Sequence, residues 1–286
     1  MKSIHDLGES NMKNWLKGET VILTGASSGI GRELCKRLIV KYGAKVLGVG
    51  RREERMCSLK EELGENFSYY LFDVGDRYAW NTFKEYLIEQ NIQPKLLINN
   101  AGQFPVFQKA SETPFETAEQ IMRVNYYSAL YSVETVFPLL KGDKKNKPAF
   151  VNVSSCAALC SVVGTGVYSA SKAALKGYTE ALQMEQKGKT YVGLIYPGTV
   201  ATELFDKDEN TKNSALDVIA MKPQRMAKKI ARKILKRKKR AVLGFDAKMM
   251  TLMARIAPVK GTAFIGWVMK ISKSKVFSNV FDHKNK

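Results

Sequence analysis

The stretch TVILTGASSGIGRELCKRL, residues 20–38, places a short aliphatic and β-branched run directly before a glycine-rich turn and a helical pattern. Three glycines, Gly25, Gly29 and Gly31, stand in that turn. Such a turn lets the backbone close on a phosphate, whose charge is favoured at the N-terminus of the following helix. Glycines also serve ordinary turns, but their place after the first strand of an alternating pattern favours a dinucleotide site.

The same alternation of short apolar runs and longer helical stretches continues along the chain. Strands separated by helices predict a parallel sheet covered on both faces, because parallel neighbours need crossover helices. The seven predicted strands are 20–24, 44–49, 68–72, 95–99, 149–154, 190–196 and 240–244. We therefore predict an α/β fold: a single Rossmann-type, doubly wound domain that binds its ligand at the C-terminal ends of a seven-stranded parallel sheet.

Composition narrows the classes of function. The 286 residues, 45% of them hydrophobic, suffice for a large core, and four cysteines are too few for a disulfide scaffold. The only two histidines, His5 and His283, lie close to the termini. This argues against a histidine base or a histidine-ligated zinc site, and no metal is expected. Without an apolar run fit for a signal peptide or a membrane span, the expected location is cytoplasmic.

The end of the second predicted strand indicates which dinucleotide is bound. NAD-specific sites usually carry an acidic residue there to hold the ribose 2′-hydroxyl, whereas VLGVGRREE offers Arg51 and Arg52. Arginine at this position would pair with a 2′-phosphate, so NADP(H) is the expected cofactor. The alternative is that both arginines are surface residues that open a helix beside Glu53 and Glu54.

From about residue 18 to about residue 245, the chain resembles the short-chain dehydrogenase/reductase family. The family pattern TGxxxGxG reads here as TGASSGIG, residues 24–31, and NNAG follows at residues 99–102. Asn125 in MRVNYYSAL matches the family's helix asparagine, and YSASK places Tyr168 four residues before Lys172. Ser155 lies 13 residues before Tyr168, the usual family spacing. The resemblance implies that Asn125, Ser155, Tyr168 and Lys172 form the catalytic set.

The turn, the arginines and the resemblance together give a set of expected cofactor-binding positions. The resemblance implies that Asp73 and Val74 lie at the adenine, and that the segment from Pro197 to Thr202 holds the nicotinamide carboxamide. The full expected set is Gly25, Ser27, Ser28, Gly29, Ile30, Gly31, Arg51, Arg52, Asp73, Val74, Asn100, Ala101, Gly102, Tyr168, Lys172, Pro197, Gly198, Val200 and Thr202.

The chemistry expected of these residues is proton transfer that accompanies hydride transfer. Tyr168 is the expected proton donor, and Lys172, one helical turn away, is expected to lower the pKa of the tyrosine. Ser155 would hydrogen-bond the substrate oxygen. By family likeness Lys172 also holds the nicotinamide ribose, and Asn125 supports a water that relays protons. On residue types alone, Asn125 could be an ordinary buried polar group, and Ser155 a helix cap.

The C-terminal part is strongly basic. From residue 222 to the end there are 19 Lys and Arg residues against two acidic ones, and the net charge of the whole chain is +19. In 223–240, Met226, Ile230 and Ile234 predict a helix with one apolar stripe. Residues 246–271 interleave large apolar residues with Lys and Arg, which is typical of an amphipathic segment at an anionic lipid surface. The same residues could instead cover the substrate mouth or form a dimer contact.

We expect three regions: an N-terminal extension (1–17), an NADP-binding catalytic domain (18–245) and a basic, amphipathic C-terminal extension (246–286). The C-terminal extension is similar to the apolar tails of 3-ketosphinganine reductases and 11β-hydroxysteroid dehydrogenases, which favours a hydrophobic carbonyl or alcohol as substrate. Residues 203–222 correspond to the family's variable substrate lid. Cys156 and Cys160 are expected to be small packing residues near the site rather than a redox pair.

Two classes of function remain open at this stage. The first is an NADP(H)-dependent oxidoreductase that interconverts a ketone or aldehyde and an alcohol. The second is a catalytically vestigial cofactor-binding protein that acts at an anionic membrane, or less readily on nucleic acid, through its basic C-terminus. The resemblance implies a homodimer or homotetramer packed through the helices that contain Asn125 and Tyr168.

Overall fold

A computed structural model describes residues 14–202, 220–272 and 274–281. Its strands form one parallel sheet in the spatial order β3-β2-β1-β4-β5-β6-β7. The strands are β1 (Thr20–Thr24), β2 (Lys45–Gly50), β3 (Phe67–Leu71), β4 (Pro94–Asn99), β5 (Ala149–Val153), β6 (Tyr191–Pro197) and β7 (Arg240–Leu243). This confirms the predicted seven-stranded Rossmann-type fold. Strand order reverses between β1 and β4, and in such sheets ligands bind in the crevice beyond that point.

Helices cover both faces of the sheet and continue beyond its last strand. They are α1 (Gly29–Tyr42), α2 (Glu53–Leu63), α3 (Arg77–Glu89), α4 (Phe115–Met122), α5 (Ser128–Thr135), α6 (Gly166–Glu185), α7 (Pro223–Leu235), α8 (Phe245–Ile256) and α9 (Pro258–Ile271). A π-helical turn, Arg123–Tyr127, joins α4 to α5. Such turns are frequent at functional sites, and this one carries Asn125.

The two faces of the sheet have separate cores. On one face α1, α2 and α7 pack on the strands, and the predicted stripe of Met226, Ile230 and Ile234 on α7 is fully buried there. On the other face α3, α5 and α6 pack around buried residues that include Trp80 and Phe150. The central strands are apolar on both sides because helices shield both faces from water.

The residues just before β1 belong to the core rather than to a separate extension. Trp15 and Leu16 are buried, and the Trp15 Nε1–H donates to the carbonyl oxygen of Leu235 at 3.0 Å. The Arg237 guanidinium lies 4.1 Å from the centroid of the Trp15 ring. These contacts join Trp15, the end of the expected extension, to the sheet domain, and the division at residue 17 stays a prediction. Residues 1–13 of the expected extension lie outside the described part of the chain.

After β7 the chain forms α8 and α9, named here the C-terminal hairpin (residues 245–271), which packs back on the domain. Met269 of α9, with Phe277 and Val280 beyond it, is buried in a third apolar cluster that contains Phe107. Residues 245–271 are therefore helical, as expected of the C-terminal part, and one side of α9 packs on the sheet domain.

Candidate active site

The glycine-rich turn lies at the switch point, between the end of β1 and the start of α1. Gly25 adopts a left-handed backbone conformation, with φ +71°, and a Cβ atom there would lie 2.9 Å from the Ala101 Cα. A Cβ on Gly31 would overlap the carbonyl oxygen of Gly25. Both positions thus require glycine, and the tight turn leaves the N-terminus of α1 open to an anion.

The turn is held against the end of β4 by a short polar network. Thr24 Oγ1 accepts hydrogen bonds from the backbone N–H groups of Asn100 and Ala101, both at 3.0 Å. The Asn100 side chain donates back to the Thr24 carbonyl at 3.1 Å. The first and fourth strands therefore hold TGASSGIG and NNAG side by side through direct hydrogen bonds.

The two arginines after β2 have different partners. Arg52 Nη2 donates to the hydroxyls of Ser28, at 2.6 Å, and Ser27, at 3.2 Å. Arg51 instead forms an exposed ion pair with Asp73 at 3.0 Å. Arg52 and the two serines therefore gather hydrogen-bond donors at one edge of the glycine turn, whereas the Arg51 charge is already engaged.

Asp73 and Val74 lie after β3, beside the same edge. Asp73 Oδ1 accepts from the Gly75 backbone N–H at 2.9 Å, and the Val74 carbonyl accepts from the Trp80 indole N–H at 2.9 Å. These bonds fix the turn that follows β3. Asp73 is thus occupied on both carboxylate oxygens, by Gly75 and Arg51.

Ser155 and Tyr168 meet at the C-terminal end of β5. Ser155 caps a short 3₁₀ turn, Cys156–Ala158, and its Oγ accepts from the Ala157 N–H at 3.2 Å. The Ser155 hydroxyl also hydrogen-bonds the Tyr168 phenol, which is buried in the first turn of α6. Ser155 is therefore a cap, as the alternative interpretation held, and a partner of Tyr168 at the same time.

Lys172 lies one turn further along α6 and is also buried. Its Nζ donates to the Val153 carbonyl at 3.3 Å and lies 5.9 Å from the centroid of the Tyr168 ring. The Ser154 hydroxyl donates to the Lys172 carbonyl at 3.0 Å, which ties α6 to the end of β5. This tie fixes the lysine relative to the strand.

Asn125 is held in the π-helical turn by three hydrogen bonds. Its Oδ1 accepts from the Gln103 N–H at 2.7 Å, and its Nδ2 donates to the Gln103 carbonyl at 2.9 Å and to Ser171 Oγ at 3.0 Å. A Cβ on Gly102 would lie 3.2 Å from Lys172 Nζ and 3.3 Å from Asn125 Oδ1. The absence of a side chain at Gly102 therefore keeps the space between these two polar atoms open.

The protonation of this set differs from the expectation in one respect. Burial raises the pKa of Tyr168 to about 12, although the hydrogen bond from Ser155 acts in the opposite direction. Burial also lowers the pKa of Lys172 to about 8. Lys172 was expected to lower the tyrosine pKa, but its ammonium points to the Val153 carbonyl and burial dominates at both groups. Tyr168 is thus a fully protonated acid at neutral pH.

With this geometry in view, comparisons with known proteins identify the family. A family model described as short chain dehydrogenase matches residues 19–213, more than half of the chain. The chain belongs to the short-chain dehydrogenase family. It is therefore an oxidoreductase by family, as its motif order indicated.

Individual members of the short-chain dehydrogenase family resemble the chain over most of its length. A probable short-chain type dehydrogenase/reductase, VdlC of Helicobacter pylori, is 34% identical over 83% of this chain and 92% of its own. The 3-ketodihydrosphingosine reductase of Bos taurus is 29% identical over 85% of this chain and 77% of its own. The solved closed form of a serine dehydrogenase complexed with NADP⁺ has a TM-score of 0.69 at 26% identity, covering 78% of this chain and 94% of that one.

The last family segment, after β6, is fixed by a residue that the sequence pattern did not single out. The Gly198 N–H donates to the Leu243 carbonyl at 2.7 Å, and Val200 pairs with Met221 in an isolated bridge. Asp246, at the start of α8, accepts from the Thr199 N–H at 2.6 Å. An acidic residue in the first turn of a basic helix was the available signal for this anchor. Residues 203–219, most of the expected lid, lie outside the described residues.

Cys156 and Cys160 lie beside this short-chain dehydrogenase site as buried, free thiols. Burial raises the pKa of Cys156 to about 12 and raises that of Cys160 as well. Raised pKa values leave both sulfurs as thiols, and a thiol is a poor nucleophile. The cysteines are therefore packing residues, in agreement with the expectation.

An aromatic row leads from Tyr168 to the C-terminal segment and was not foreseen. The Phe104 ring meets the Tyr168 ring edge-on at 4.9 Å, Phe107 follows Phe104 at 5.0 Å, and Phe277 follows Phe107 at 4.9 Å. The phenylalanines in QFPVF, residues 103–107, directly after NNAG, were the only available signal. The row connects Tyr168 to the C-terminal segment through Phe104 and Phe107, and Phe277 is its third ring.

Proposed function

We propose that the protein is an NADP(H)-dependent oxidoreductase that interconverts an apolar ketone or aldehyde and its alcohol, with Tyr168 as proton donor and acceptor. The observation that carries the proposal is the buried Tyr168 phenol, hydrogen-bonded to Ser155 one helical turn from the buried Lys172. Family membership supports the reaction class, and the NADP⁺ complex of the serine dehydrogenase supports the cofactor.

The residues at the switch point fit such a cofactor. Ser27, Ser28 and Arg52 offer clustered hydroxyl and guanidinium donors, which suit a 2′-phosphate. The gap at Gly102, lined by Lys172 Nζ and Asn125 Oδ1, suits a group rich in hydroxyls. When bound, the reduced cofactor would supply the hydride for the carbonyl carbon.

The protein's own residues supply the proton and its position. Because the pKa of Tyr168 is about 12, its phenol is protonated at neutral pH and can donate to the oxygen that gains charge during reduction. Ser155 Oγ accepts from the Ala157 N–H and its hydroxyl donates to the Tyr168 phenol. With substrate bound, the same hydroxyl could turn its proton to the substrate oxygen. Asn125 holds both backbone groups of Gln103 and thereby fixes the loop after NNAG.

The apolar character of the substrate is proposed from the aromatic row. Phe104 contacts Tyr168, and the cluster around Phe107 and Phe277 is built from Val162, Ile265, Met269, Val276, Val280 and Phe281. Such a surface favours an aliphatic or aromatic group next to the reacting carbon. The names of the relatives include a ketodihydrosphingosine reductase and a serine dehydrogenase, so they do not decide the substrate by themselves.

The test is NADPH consumption with a homologous series of aldehydes and methyl ketones. We expect kcat/KM to rise with chain length in the unmodified protein. Tyr168→Phe should lower turnover by about 10²–10⁴-fold, the usual contribution of a positioned acid. Tyr178→Phe, on the same helix but away from Ser155, is the matched control and should retain activity.

Three outcomes contradict the proposal in different ways. Full activity of Tyr168→Phe removes the tyrosine from the mechanism. A kcat/KM that falls with chain length removes the apolar substrate but leaves the reaction class. Tight NADPH binding with no turnover on any carbonyl favours the vestigial cofactor-binding protein instead.

The homodimer or homotetramer expected through the helices of Asn125 and Tyr168 stays a proposal. Phe115, Tyr127 and Met184 are exposed apolar residues on or between those helices, which supports a contact there. Light scattering of the unmodified protein and of a Phe115→Ser variant tests it: a shift to smaller mass in the variant supports this surface.

A further inference from the structure

The C-terminal hairpin leaves an unusual row of side chains exposed on α8. Phe245, Lys248, Met249, Leu252, Arg255 and Ile256 are all exposed. They recur at spacings of three and four residues, so they lie along one side of the helix. Large apolar residues and cations thus share one exposed stripe.

Helix α9 repeats this arrangement and adds an apolar tip. Phe264, Trp267, Val268 and Ile271 are exposed on it, and the rings of Phe264 and Trp267 stack with centroids 5.7 Å apart. At the turn between the helices, Ile256 is 74% and Val259 is 79% exposed. Arg255 and Lys260, both exposed, flank this tip.

The opposite side of the hairpin is fixed to the domain. Ile265 and Met269 pack into the third apolar cluster, and a Cβ on Gly266 would lie 3.2 Å from the Val163 side chain. Gly261 is buried against the backbone of Met253, which joins α9 to α8. The exposed stripes therefore belong to an anchored element with defined inner and outer sides.

The charge of the outer side has one sign. The hairpin has four cations, Lys248, Arg255, Lys260 and Lys270, and all four are exposed. Asp246 is its only carboxylate, and it is engaged by the Thr199 N–H inside the domain. A contact with a second copy of this face would bring like charges together, whereas an anionic surface would complement them.

We propose that the C-terminal hairpin docks on a lipid bilayer with anionic headgroups. Its apolar tip and stripes enter the boundary between headgroups and acyl chains, while the lysine and arginine side chains extend to the phosphates. This goes beyond the proposed enzymatic function and does not rest on it. Met269 and Ile265, on the inner side of α9, contact the cluster that contains Phe107 and Phe277. The aromatic row that reaches Tyr168 therefore lies on the other side of α9 from the docked surface.

The three tryptophans make a direct experiment possible. Trp15 and Trp80 are buried, whereas Trp267 is 54% exposed. The vesicles contain phosphatidylcholine with about 30–40% phosphatidylglycerol, so that their surface is anionic. Adding them should shift the Trp267 fluorescence emission to shorter wavelength. The full-length chain should also float with these vesicles in a density gradient. Pure phosphatidylcholine vesicles should give at least about tenfold weaker partitioning, because the cations lose their partners.

Variants separate the apolar from the charged part of the contact. Ile256→Ser with Val259→Ser should lower partitioning by more than about tenfold, since two exposed side chains no longer enter the lipid. Lys248→Ala with Arg255→Ala should lower partitioning onto anionic vesicles by about thirtyfold. Added salt should likewise lower the partitioning of the unmodified protein. Matched controls are Val40→Ser with Tyr78→Ser, and Lys41→Ala with Lys144→Ala, all exposed positions away from the hairpin.

Several results overturn the proposal. These are flotation that does not differ between neutral and anionic vesicles, hairpin variants that float as well as the controls, and an unchanged Trp267 emission. A fourth is a drop in molecular mass of the Ile256→Ser, Val259→Ser variant without vesicles, which would show that a second copy covers the face. None of these readouts depends on turnover, so they stand apart from the test with Tyr168→Phe.

Discussion

The glycine turn and the C-terminal hairpin both border the candidate active site, but different forces hold them in place. The turn is fixed by backbone conformation and short polar bonds, such as those from Asn100 and Ala101 to Thr24. The hairpin is fixed by large apolar side chains, since Ile265 and Met269 pack in a cluster with Phe107, which is far away in sequence. The end of the site at the glycine turn therefore tolerates little change, whereas the end at the hairpin can be repacked.

The largest effect is expected where the backbone itself is constrained. Gly25→Ala should destabilise the protein by about 4 kcal/mol, from the left-handed φ together with the overlap at the Ala101 Cα. Thermal unfolding measures the loss, and NADPH binding should be lost with it. Gly177→Ala, on a helix with open space around the added methyl group, is the control and should be neutral or slightly stabilising. If Gly25→Ala and Gly177→Ala are equally stable, the glycine turn does not require glycine at position 25.

At the hairpin end, the comparison predicts a smaller and more local effect. Phe277→Ala should lower the free energy of unfolding by about 3 kcal/mol, because it removes a buried ring from the apolar cluster. We expect kcat/KM for long-chain substrates to fall while the NADPH dissociation constant stays the same. Tyr78→Ala, at an exposed ring, is the stability control. A weakened NADPH affinity in Phe277→Ala would show that the two ends are not independent.

Within the cofactor end, the two arginines should differ. Arg52→Ala should weaken NADPH binding by roughly thirtyfold and leave NADH binding unchanged, because a charge-assisted hydrogen bond to the 2′-phosphate is lost. Arg51→Ala should change the NADPH dissociation constant by less than about threefold, because Arg51 is paired with Asp73. Nicotinamide fluorescence titrations with both nucleotides measure this. Equal affinities for NADPH and NADH in the unmodified protein would contradict the cofactor assignment.

The smallest effect concerns pH. Burial lowers the pKa of Lys172 to about 8, so its ammonium is largely present at pH 7 and largely lost at pH 9. NADPH affinity should therefore fall by roughly threefold as pH rises across that interval, because the lost cation no longer attracts an anionic ligand. Titrations from pH 6.5 to 9.5 measure the profile, and Lys172→Met should flatten it. If NADPH affinity still falls with pH to the same extent in Lys172→Met, another titrating group causes the pH dependence.

The same comparison explains how much could be predicted from the sequence. The seven strands, the buried stripe on α7 and the family membership follow from local periodicity and motif spacing, which the chain carries within short segments. The catalytic roles of Asn125, Ser155, Tyr168 and Lys172 stay a prediction. The division of roles between Arg51 and Arg52 could not be foreseen, because it depends on Asp73 from another strand. The direction of the Tyr168 pKa shift depends on burial by the whole domain. The burial of Trp15 and the contact of Phe107 with Phe277 join distant parts of the chain, and local pattern does not show which residues meet.

The most direct test of hydride transfer at this site follows the hydrogen itself. The protein is incubated with NADPH carrying deuterium at both C4 positions and with an aldehyde from the active part of the series, and the product alcohol is analysed by mass spectrometry. We expect one deuterium on the carbinol carbon of every product molecule, and labelled product formed about 10²–10⁴-fold more slowly with Tyr168→Phe. Unlabelled alcohol, or no alcohol from a protein that binds NADPH tightly, would contradict the proposed function.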